Sequence, residues 1–288
     1  MVPTGTDWTA ETLRGLATRT DGLKRAWDAA RPFRWISAND FLPTRFTEEL
    51  LAEFPDPATE GWMDATYFHQ RRKLTRTRDF PPAITQFFAL TAHASFLDWV
   101  TSLTGIRNLR HDPDLVGGGL HQSLPGAFLD VHVDYNRHPR TKLHRRLNLL
   151  LYLNRDWKAE WEGCLELWDI TANHQLAQIA PVFNRAVIFE TNEHSFHGHP
   201  RPLHCPDGES RKSLAVYYYT DERDDGVSAE EHNTIYRQTT GAAGYLKTTR
   251  SGLHAVVERL RQGRGLITVD DFARKLIRRL RGKPPENK

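Results

Sequence analysis

Two side chains that can bind a metal ion lie two residues apart at the end of a strand-like segment. Residues 128–134 read Phe-Leu-Asp-Val-His-Val-Asp, and His132 and Asp134 share one face because side chains alternate along a strand. An imidazole and a carboxylate at this spacing can converge on one cation. A second histidine would complete a set of three ligands on one side of an octahedron, an arrangement typical of non-haem iron(II) sites that react with oxygen.

Three histidines are candidates for that third ligand. His194, His197 and His199 all follow the apolar segment 186–189, which reads as a buried strand. Their spacing from the strand does not distinguish among the three, so the residues alone leave this choice open.

A basic residue and a hydroxyl group open the last apolar segment of the central region. Arg211 and Ser213 precede Leu214–Tyr219 and point to the same face of a strand, whereas Lys212 points to the other. A guanidinium group binds both oxygens of a carboxylate, and a neighbouring hydroxyl adds a third donor. The pair therefore predicts a carboxylate site, although a surface arginine would show the same local pattern.

The elements that must position these residues fall into three regions. Apolar spacing predicts helices over residues 9–31, 47–54 and 82–105, then a block of short strands, and finally helices at 251–262 and 268–282. Helices followed by short, regularly spaced strands indicate an α+β fold in which the helices brace a β-sandwich or barrel. The predicted strands are Phe128–Val133, Leu147–Leu153, Cys164–Trp168, Ala186–Phe189 and Leu214–Tyr219.

Composition narrows the classes of protein. A chain of 288 residues with 39% hydrophobic and 26% charged residues is typical of a globular protein, and a net charge of +3 is too small to indicate nucleic acid. Two cysteines without a CxxC pair predict neither a disulfide framework nor a structural zinc site. We expect no nucleic-acid partner, no transmembrane segment and no export signal, and therefore a cytoplasmic location.

Five segments in order carry a resemblance to a known family. The chain resembles the prolyl-4-hydroxylase-like branch of the iron(II)- and 2-oxoglutarate-dependent oxygenases, over roughly Gly117 to Thr220. Cys164 departs from the family pattern, which usually has a second glycine there, and the segment between His197 and Arg211 is longer than usual. The matching segments are His132-Val133-Asp134, Tyr152-Leu153-Asn154-Arg155-Asp156-Trp157, Glu162-Gly163-Cys164-Leu165-Glu166-Leu167-Trp168, the turn Pro181–Arg185, and Arg211-Lys212-Ser213.

The resemblance implies a fold, cofactors and roles for these residues. The fold is a double-stranded β-helix, a jelly-roll or cupin-like barrel, over residues 111–222. Residues 1–110 are expected to form a helical part that packs on the barrel, and residues 223–288 are expected to form a polar loop and helices. The three parts are expected to form one structural domain. The family places its distal histidine twelve residues after the arginine of the pre-strand turn, which selects His197. Iron(II), 2-oxoglutarate and O2 are the implied cofactors, with 2-oxoglutarate bound by Arg211, Ser213, Tyr152 and Gln122.

The substrate is expected to lie near the residues that follow Asp134. Tyr135 and Asn136 come directly after the metal-binding strand, and Arg145 belongs to a basic segment, 137–146, that we expect to border the mouth of the active site. The resemblance implies hydroxylation, and the lack of an obvious protein-binding module favours a small molecule or glycan as substrate. The basic segment predicts that this substrate carries an acidic group. A solvated surface loop is the alternative explanation of the basic segment.

Other functions compete with this hypothesis. The first alternative is a protein or peptide side-chain hydroxylase of the prolyl type, and a non-catalytic metal-binding barrel protein is a second. A zinc hydrolase is a third, but the chain lacks a HExxH helix. The basic C-terminal helix 268–282 could contact an anionic membrane surface or RNA, although packing on the parent domain is the expectation for such a helix.

Overall fold

The computed structural model describes residues 7–64, 66–171, 173–223, 230–237 and 239. Helices dominate the first third of the chain: α1 (Trp8–Ala17), α2 (Thr20–Ala29), α3 (Thr44–Ala52), α4 (Pro82–Ala92) and α5 (Ala94–Thr104). None of the helices in these described ranges is long and apolar enough to cross a membrane. The two C-terminal helices predicted at 251–262 and 268–282 lie outside the described residues.

Two of the helices predicted from apolar spacing are each divided into a pair. The first divides at Thr18–Arg19, where the Arg19 guanidinium donates hydrogen bonds to the backbone carbonyls of Asn39 and Asp40. The second divides at His93, whose backbone is extended and whose ring accepts a hydrogen bond from the Ser95 N–H at the start of α5. In both places, polar side-chain contacts accompany the break without interrupting the apolar spacing.

The strands form one continuous antiparallel sheet. Its main path runs β1-β9-β6-β11-β5-β10-β7-β8, and β2, β3, β4 and β12 pair at its edges. The strands are β1 (Trp35–Ala38), β2 (Met63–Asp64), β3 (Gln70–Arg76), β4 (Arg110–His111), β5 (Gly119–Val133), β6 (His144–Tyr152), β7 (Leu165–Asp169), β8 (His174–Ile179), β9 (Arg185–Glu190), β10 (Phe196–His199), β11 (Arg211–Thr220) and β12 (Ile235–Arg237).

Strand β5 joins the two halves of the barrel. Its first half pairs with β11 and its second half with β10, while β3 and then β12 pair along its other edge. The sheet therefore folds over on itself, with β1, β9, β6 and β11 in one layer and β10, β7 and β8 in the other. This arrangement is the double-stranded β-helix, or jelly roll, that the family resemblance implied.

Alternation along the strands divides the side chains between the helices and the interior of the barrel. Leu147, Leu149 and Leu151 of β6 are buried in the large core shared with the helices. Asn148 and Leu150, from the other face of the same strand, line the cavity inside the barrel. The helices thus cover the apolar outer face of one layer, and the inner face remains available for a polar site.

Several strands lie outside the predicted strand block, and two of them pair with β5. Strand β3 belongs to the part predicted to be helical, and β12 to the part predicted to be a polar loop, yet both pair with β5. The barrel therefore extends beyond residues 111–222 and includes strands from both flanking regions.

Candidate metal centre

A cluster of two histidines and one aspartate lies at one end of the barrel. One potential ligand atom from each of His132, Asp134 and His197 falls within 4.8 Å of the others. His132 Nε2 is 3.6 Å from Asp134 Oδ1, and His197 Nε2 is 3.5 Å from Asp134 Oδ2. Among the residues that the structure describes, no other group of His, Cys, Asp and Glu side chains has this geometry.

The hydrogen bonds of the two histidines orient them as metal ligands. The Nδ1 atoms of His132 and His197 lie 2.8 and 2.9 Å from the backbone carbonyls of Asp130 and Ser195. A carbonyl only accepts, so each Nδ1 carries a proton, and Nε2 is the atom of each ring that faces Asp134 and can bind a metal. Two neutral imidazoles and a carboxylate are the donor set that suits iron(II), so the residues present fit this metal.

Two neighbouring strands bring the cluster together. His132 on β5 stands directly opposite His197 on β10, and the two ring centroids are 4.5 Å apart. Gly198 permits this approach, because a Cβ atom there would come within 2.8 Å of the Leu129 carbonyl oxygen and 2.9 Å of that of Asp130. A larger residue after His197 would therefore force β10 away from β5 and separate the ligands.

The Asp134 carboxylate has two further partners on β6. Asn148 Nδ2 donates to Asp134 Oδ2 over 2.7 Å, and the Arg145 guanidinium lies 3.0 Å from the same oxygen. Arg145 in turn donates to Asn148 Oδ1 through two N–H groups, at 3.0 and 2.8 Å. Arg145, Asn148 and Asp134 thus form a closed triangle that fixes the carboxylate.

Burial and charge set the protonation states in the cluster. Burial by itself raises the pKa of Asp134. The positive charge of Arg145, together with interactions with His197 and His132, outweighs this effect of burial, so the pKa of Asp134 lies well below its usual value. Burial, with a smaller contribution from His132, lowers the pKa of His197 to about 4. At neutral pH the cluster is therefore an ionised carboxylate with a neutral His197, as metal binding requires.

Arg211 lies deep in the barrel at the start of β11. Its Nε donates to the Gly163 carbonyl over 2.6 Å, and one terminal nitrogen donates to the Tyr152 hydroxyl over 3.1 Å. Ser213 lies two residues further along the same face, directly opposite Tyr152. A Cβ atom at Gly163 would lie 2.5 Å from Leu203 and 3.2 Å from Arg211, so glycine is required for this packing. The guanidinium is therefore held in one orientation, with Tyr152 and Ser213 beside it.

One cavity of about 180 Å³ is lined both by the His132, Asp134 and His197 cluster and by Arg211. Among its lining residues within the described ranges, Asp134 is the sole carboxylate, whereas Lys73, Arg145 and Arg211 are basic. His199 also lines this cavity but lies outside the group of potential metal ligands, and His194 is an exposed residue whose backbone N–H bonds to Asn192 Oδ1.

The structure does not place Gln122 in the cavity, because a β-bulge reverses the alternation of β5. The step from His197 to His199 in β10 advances two positions, whereas the paired step from His132 to Leu129 in β5 covers three. The extra residue turns Gln122 outward, where its amide donates to Ser210 Oγ over 2.8 Å, and turns His121 inward. Simple alternation from His132 predicts that Gln122 faces the cavity and His121 faces away from it. His121 was therefore not predicted as a cavity residue.

The three predicted substrate residues have different environments. Tyr135 lines the cavity, and its hydroxyl donates to the Val116 carbonyl. Asn136 is not a lining residue, since its side chain bonds to the backbone of Glu230 and His232. Arg145 lines the cavity but is 1% exposed and paired with Asp134, so it does not lie at the mouth.

A second bulge explains the position of Arg145. Asn148 stands opposite Tyr217, but Arg145, three residues earlier, stands opposite Tyr219. The additional residue in β6 places both Arg145 and Asn148 on the inner face, where the guanidinium also stacks 3.5 Å from the Tyr217 ring centroid. We expected Arg145 at the mouth of the active site, because a run of basic residues gives no indication of such a bulge.

Comparison with known proteins identifies the barrel. Residues 118–219 match the model of the 2OG-Fe(II) oxygenase superfamily. No curated protein sequence is significantly similar to the chain. Solved structures that share its fold include the following three.

The first is a prolyl-4-hydroxylase from Pseudomonas putida, with 20% identity, a TM-score of 0.50, and coverage of 69% of this chain and 98% of that one. The second is a prolyl hydroxylase from Trichoplax adhaerens in complex with a peptide fragment of the hypoxia inducible factor oxygen degradation domain. It has 17% identity, a TM-score of 0.55, and coverage of 75% and 94%. The third comes from work on prolyl 4-hydroxylases of Phytophthora capsici, with 17% identity, a TM-score of 0.54, and coverage of 87% and 78%.

These similarities agree with the prediction made from the ordered motifs. The family match covers the strands that carry the His-Asp-His cluster and Arg211, and the solved structures share the barrel. Residues 118–219 therefore match the 2OG-Fe(II) oxygenase superfamily, a class of enzymes that uses iron(II), 2-oxoglutarate and O2.

Proposed function

We propose that His132, Asp134 and His197 hold iron(II) and that Arg211 binds the far carboxylate of 2-oxoglutarate. The observation that carries this proposal is the presence of the cluster and the Arg211 guanidinium in one cavity. Ser213 and the Tyr152 hydroxyl lie beside Arg211, where each can supply a further hydrogen bond to the same carboxylate.

The residues around the cluster have separate tasks in this reaction. When bound, iron(II) and 2-oxoglutarate supply the oxidising chemistry, in which 2-oxoglutarate is decarboxylated to succinate and O2 provides the oxygen atom. Asn148 and Arg145 hold the Asp134 carboxylate in place, and the backbone carbonyls of Asp130 and Ser195 keep both histidines in the required tautomer. Phe189 and Leu165 form an apolar part of the wall, which limits access of water.

The proposed reaction is hydroxylation of an unactivated C–H bond in a small molecule or glycan that carries an acidic group. The cavity volume of about 180 Å³ is below the usual range for ligand pockets, roughly 300–1,000 Å³. Such a space accommodates 2-oxoglutarate and the reacting end of a substrate, but not a bulky group. The excess of basic over acidic lining residues supports an anionic substrate.

A second candidate is hydroxylation of a protein or peptide side chain of the prolyl type. It is supported by the fold shared with prolyl hydroxylases, one of which was solved with a peptide. In that case the small cavity would receive a single side chain while the peptide remained outside.

Substrate-dependent release of succinate distinguishes the two candidates. The protein with iron(II), 2-oxoglutarate and O2 is screened against acidic metabolites and glycans in one set, and against proline-containing peptides in another. We expect stimulation by members of the first set, and stimulation by peptides alone would favour the second candidate. An anaerobic titration with iron(II) and 2-oxoglutarate is the preceding test, and failure to develop a charge-transfer absorption band would contradict the proposed site.

A further inference from the structure

Lys73 is a basic residue of the cavity that the proposed reaction does not use. It lies on β3, where it stands opposite Ser123 of β5, and Arg211 of β11 stands opposite Ser123 from the other side. Lys73 and Arg211 therefore belong to one row across three strands, with Cα atoms roughly 10 Å apart, or two interstrand spacings. A left-handed residue in β3, Arg72 with φ of 49°, allows both Gln70 and Lys73 to face the cavity.

The Lys73 ammonium differs from the other cations of the cavity in having no partner. Arg145 is paired with Asp134, and Arg211 donates to Gly163 and Tyr152. Within the described residues, the ammonium of Lys73 forms neither a hydrogen bond nor an ion pair. An ammonium group that lines a cavity without a pairing carboxylate is suited to a negatively charged ligand, because an anion there would compensate its charge.

The charge balance of the filled site indicates where that anion comes from. Iron(II) and Asp134 together contribute one positive charge, 2-oxoglutarate contributes two negative charges, and Lys73, Arg145 and Arg211 contribute three positive charges. The lining residues within the described part of the chain include no other carboxylate, so these groups leave two positive charges after the cofactors are bound. Because a buried excess of charge is costly, the remaining ligand is expected to be an anion.

We propose that Lys73 binds a carboxylate, phosphate or sulfate group of the substrate and thereby determines specificity for an anionic molecule. This inference rests on the proposed function, because it assumes that 2-oxoglutarate occupies Arg211. It moves the recognition of the acidic group from the segment 137–146 to strand β3.

The protonation state of Lys73 provides a pH signature. Burial lowers its pKa to about 8, with Arg211 and Arg145 adding to this effect and Asp134 opposing it. His121 also faces Lys73, and its own pKa lies well below the usual value because of burial, so it stays neutral in this range. Of these groups, only Lys73 changes its charge near pH 8. Affinity for the anion is therefore expected to be present below pH 8 and to be lost as the pH rises through this value.

Sulfate is a suitable probe because it keeps its charge across this pH range. The anaerobic protein, loaded with iron(II) and saturating 2-oxoglutarate, is titrated with sulfate by calorimetry at constant ionic strength. Lys73→Met is expected to weaken sulfate binding by about 10- to 100-fold, the range for losing a hydrogen bond to a charged group. Lys73→Arg keeps the charge and is expected to retain binding. Lys212→Met is the matched control, since Lys212 lies on β11 but does not line the cavity.

The charge-transfer band then distinguishes the substrate from the co-substrate. We expect the 2-oxoglutarate titration of Lys73→Met to match that of the unaltered protein. Weaker 2-oxoglutarate binding with unchanged sulfate binding would overturn the proposal, because it would assign Lys73 to the co-substrate. Sulfate affinity that is the same in Lys73→Met and the unaltered protein would overturn it as well.

A second measurement separates failure of this proposal from failure of the proposed function. If the unaltered protein develops no charge-transfer band, the proposed function fails. Acetylation of Lys73 in the metal-free protein is then measured by mass spectrometry of its peptides, with and without sulfate. Protection of Lys73 by sulfate would support an anion site, and equal rates of acetylation would refute it.

Discussion

Replacing Asn148 with alanine removes the amide that donates to Asp134 Oδ2 over 2.7 Å. It also removes the acceptor of two N–H groups of Arg145, although the ion pair of Arg145 with Asp134 remains. A hydrogen bond to a charged group contributes about 1.5–3 kcal/mol, which corresponds to about 10- to 100-fold in affinity. Loss of a hydrogen-bonding partner of a metal ligand typically has an effect of this size. We therefore expect Asn148→Ala to weaken metal binding by about 10- to 100-fold without abolishing it.

The assay uses manganese(II) or cobalt(II), which are stable in air, in competition with a chromophoric chelator. Asn154→Ala is a matched control, because Asn154 is also a buried asparagine and its side chain bonds to the backbone of Pro181 and Lys212. Both variants are expected to lower the thermal midpoint, but only Asn148→Ala should lower metal affinity. The reasoning would be refuted by unchanged affinity in Asn148→Ala, or by an equal loss of affinity in both variants.

Further substitutions test the ligands, the co-substrate site and the core. His197→Ala should abolish metal binding, whereas His199→Ala should retain it, and calorimetry that gave the reverse result would move the third ligand. Arg211→Met should raise the dissociation constant of 2-oxoglutarate by at least about tenfold, and Ser213→Ala should raise it by less. The anaerobic charge-transfer band measures both constants, and equal effects would contradict the assignment of Arg211 as the main anchor. Leu149 of β6 is fully buried in the core shared with the helices, so Leu149→Ala should lower the free energy of unfolding by about 2–5 kcal/mol. Urea unfolding measures this value, and a smaller decrease would indicate that the core closes around the substituted residue.

Local sequence patterns were sufficient to predict the strands in which apolar residues form a continuous or alternating run. The predicted strands at 147–153, 164–168, 186–189 and 214–219 coincide closely with β6, β7, β9 and β11. Each has a buried face whose pattern is visible in the sequence, because burial of that face stabilises the strand. The order of the motifs on these strands also indicated the family, which the match of residues 118–219 confirmed.

Strands without such a pattern were missed. β3 reads Gln-Arg-Arg-Lys-Leu-Thr-Arg, and its burial follows no simple alternation. Its extended structure comes from hydrogen bonds to β5, a partner about fifty residues later in the chain. β12 likewise forms beside β5, opposite His132. Neither pairing leaves a local signal, since the stabilising contacts are with residues distant in sequence.

The sequence by itself determined the fold class and the candidate ligands His132 and Asp134, because these depend on residue types and spacing within single strands, and the order of the motifs indicated the family. His197 needed the family pattern as well. Only the tertiary structure decided which of the remaining side chains face the cavity. One additional residue in β5 makes His121 face the cavity in place of Gln122, and another in β6 turns Arg145 towards Asp134. The physical reason is that alternation has a period of two residues, so a single bulge reverses the face of every residue beyond it, and the position of a bulge depends on the pairing of distant strands.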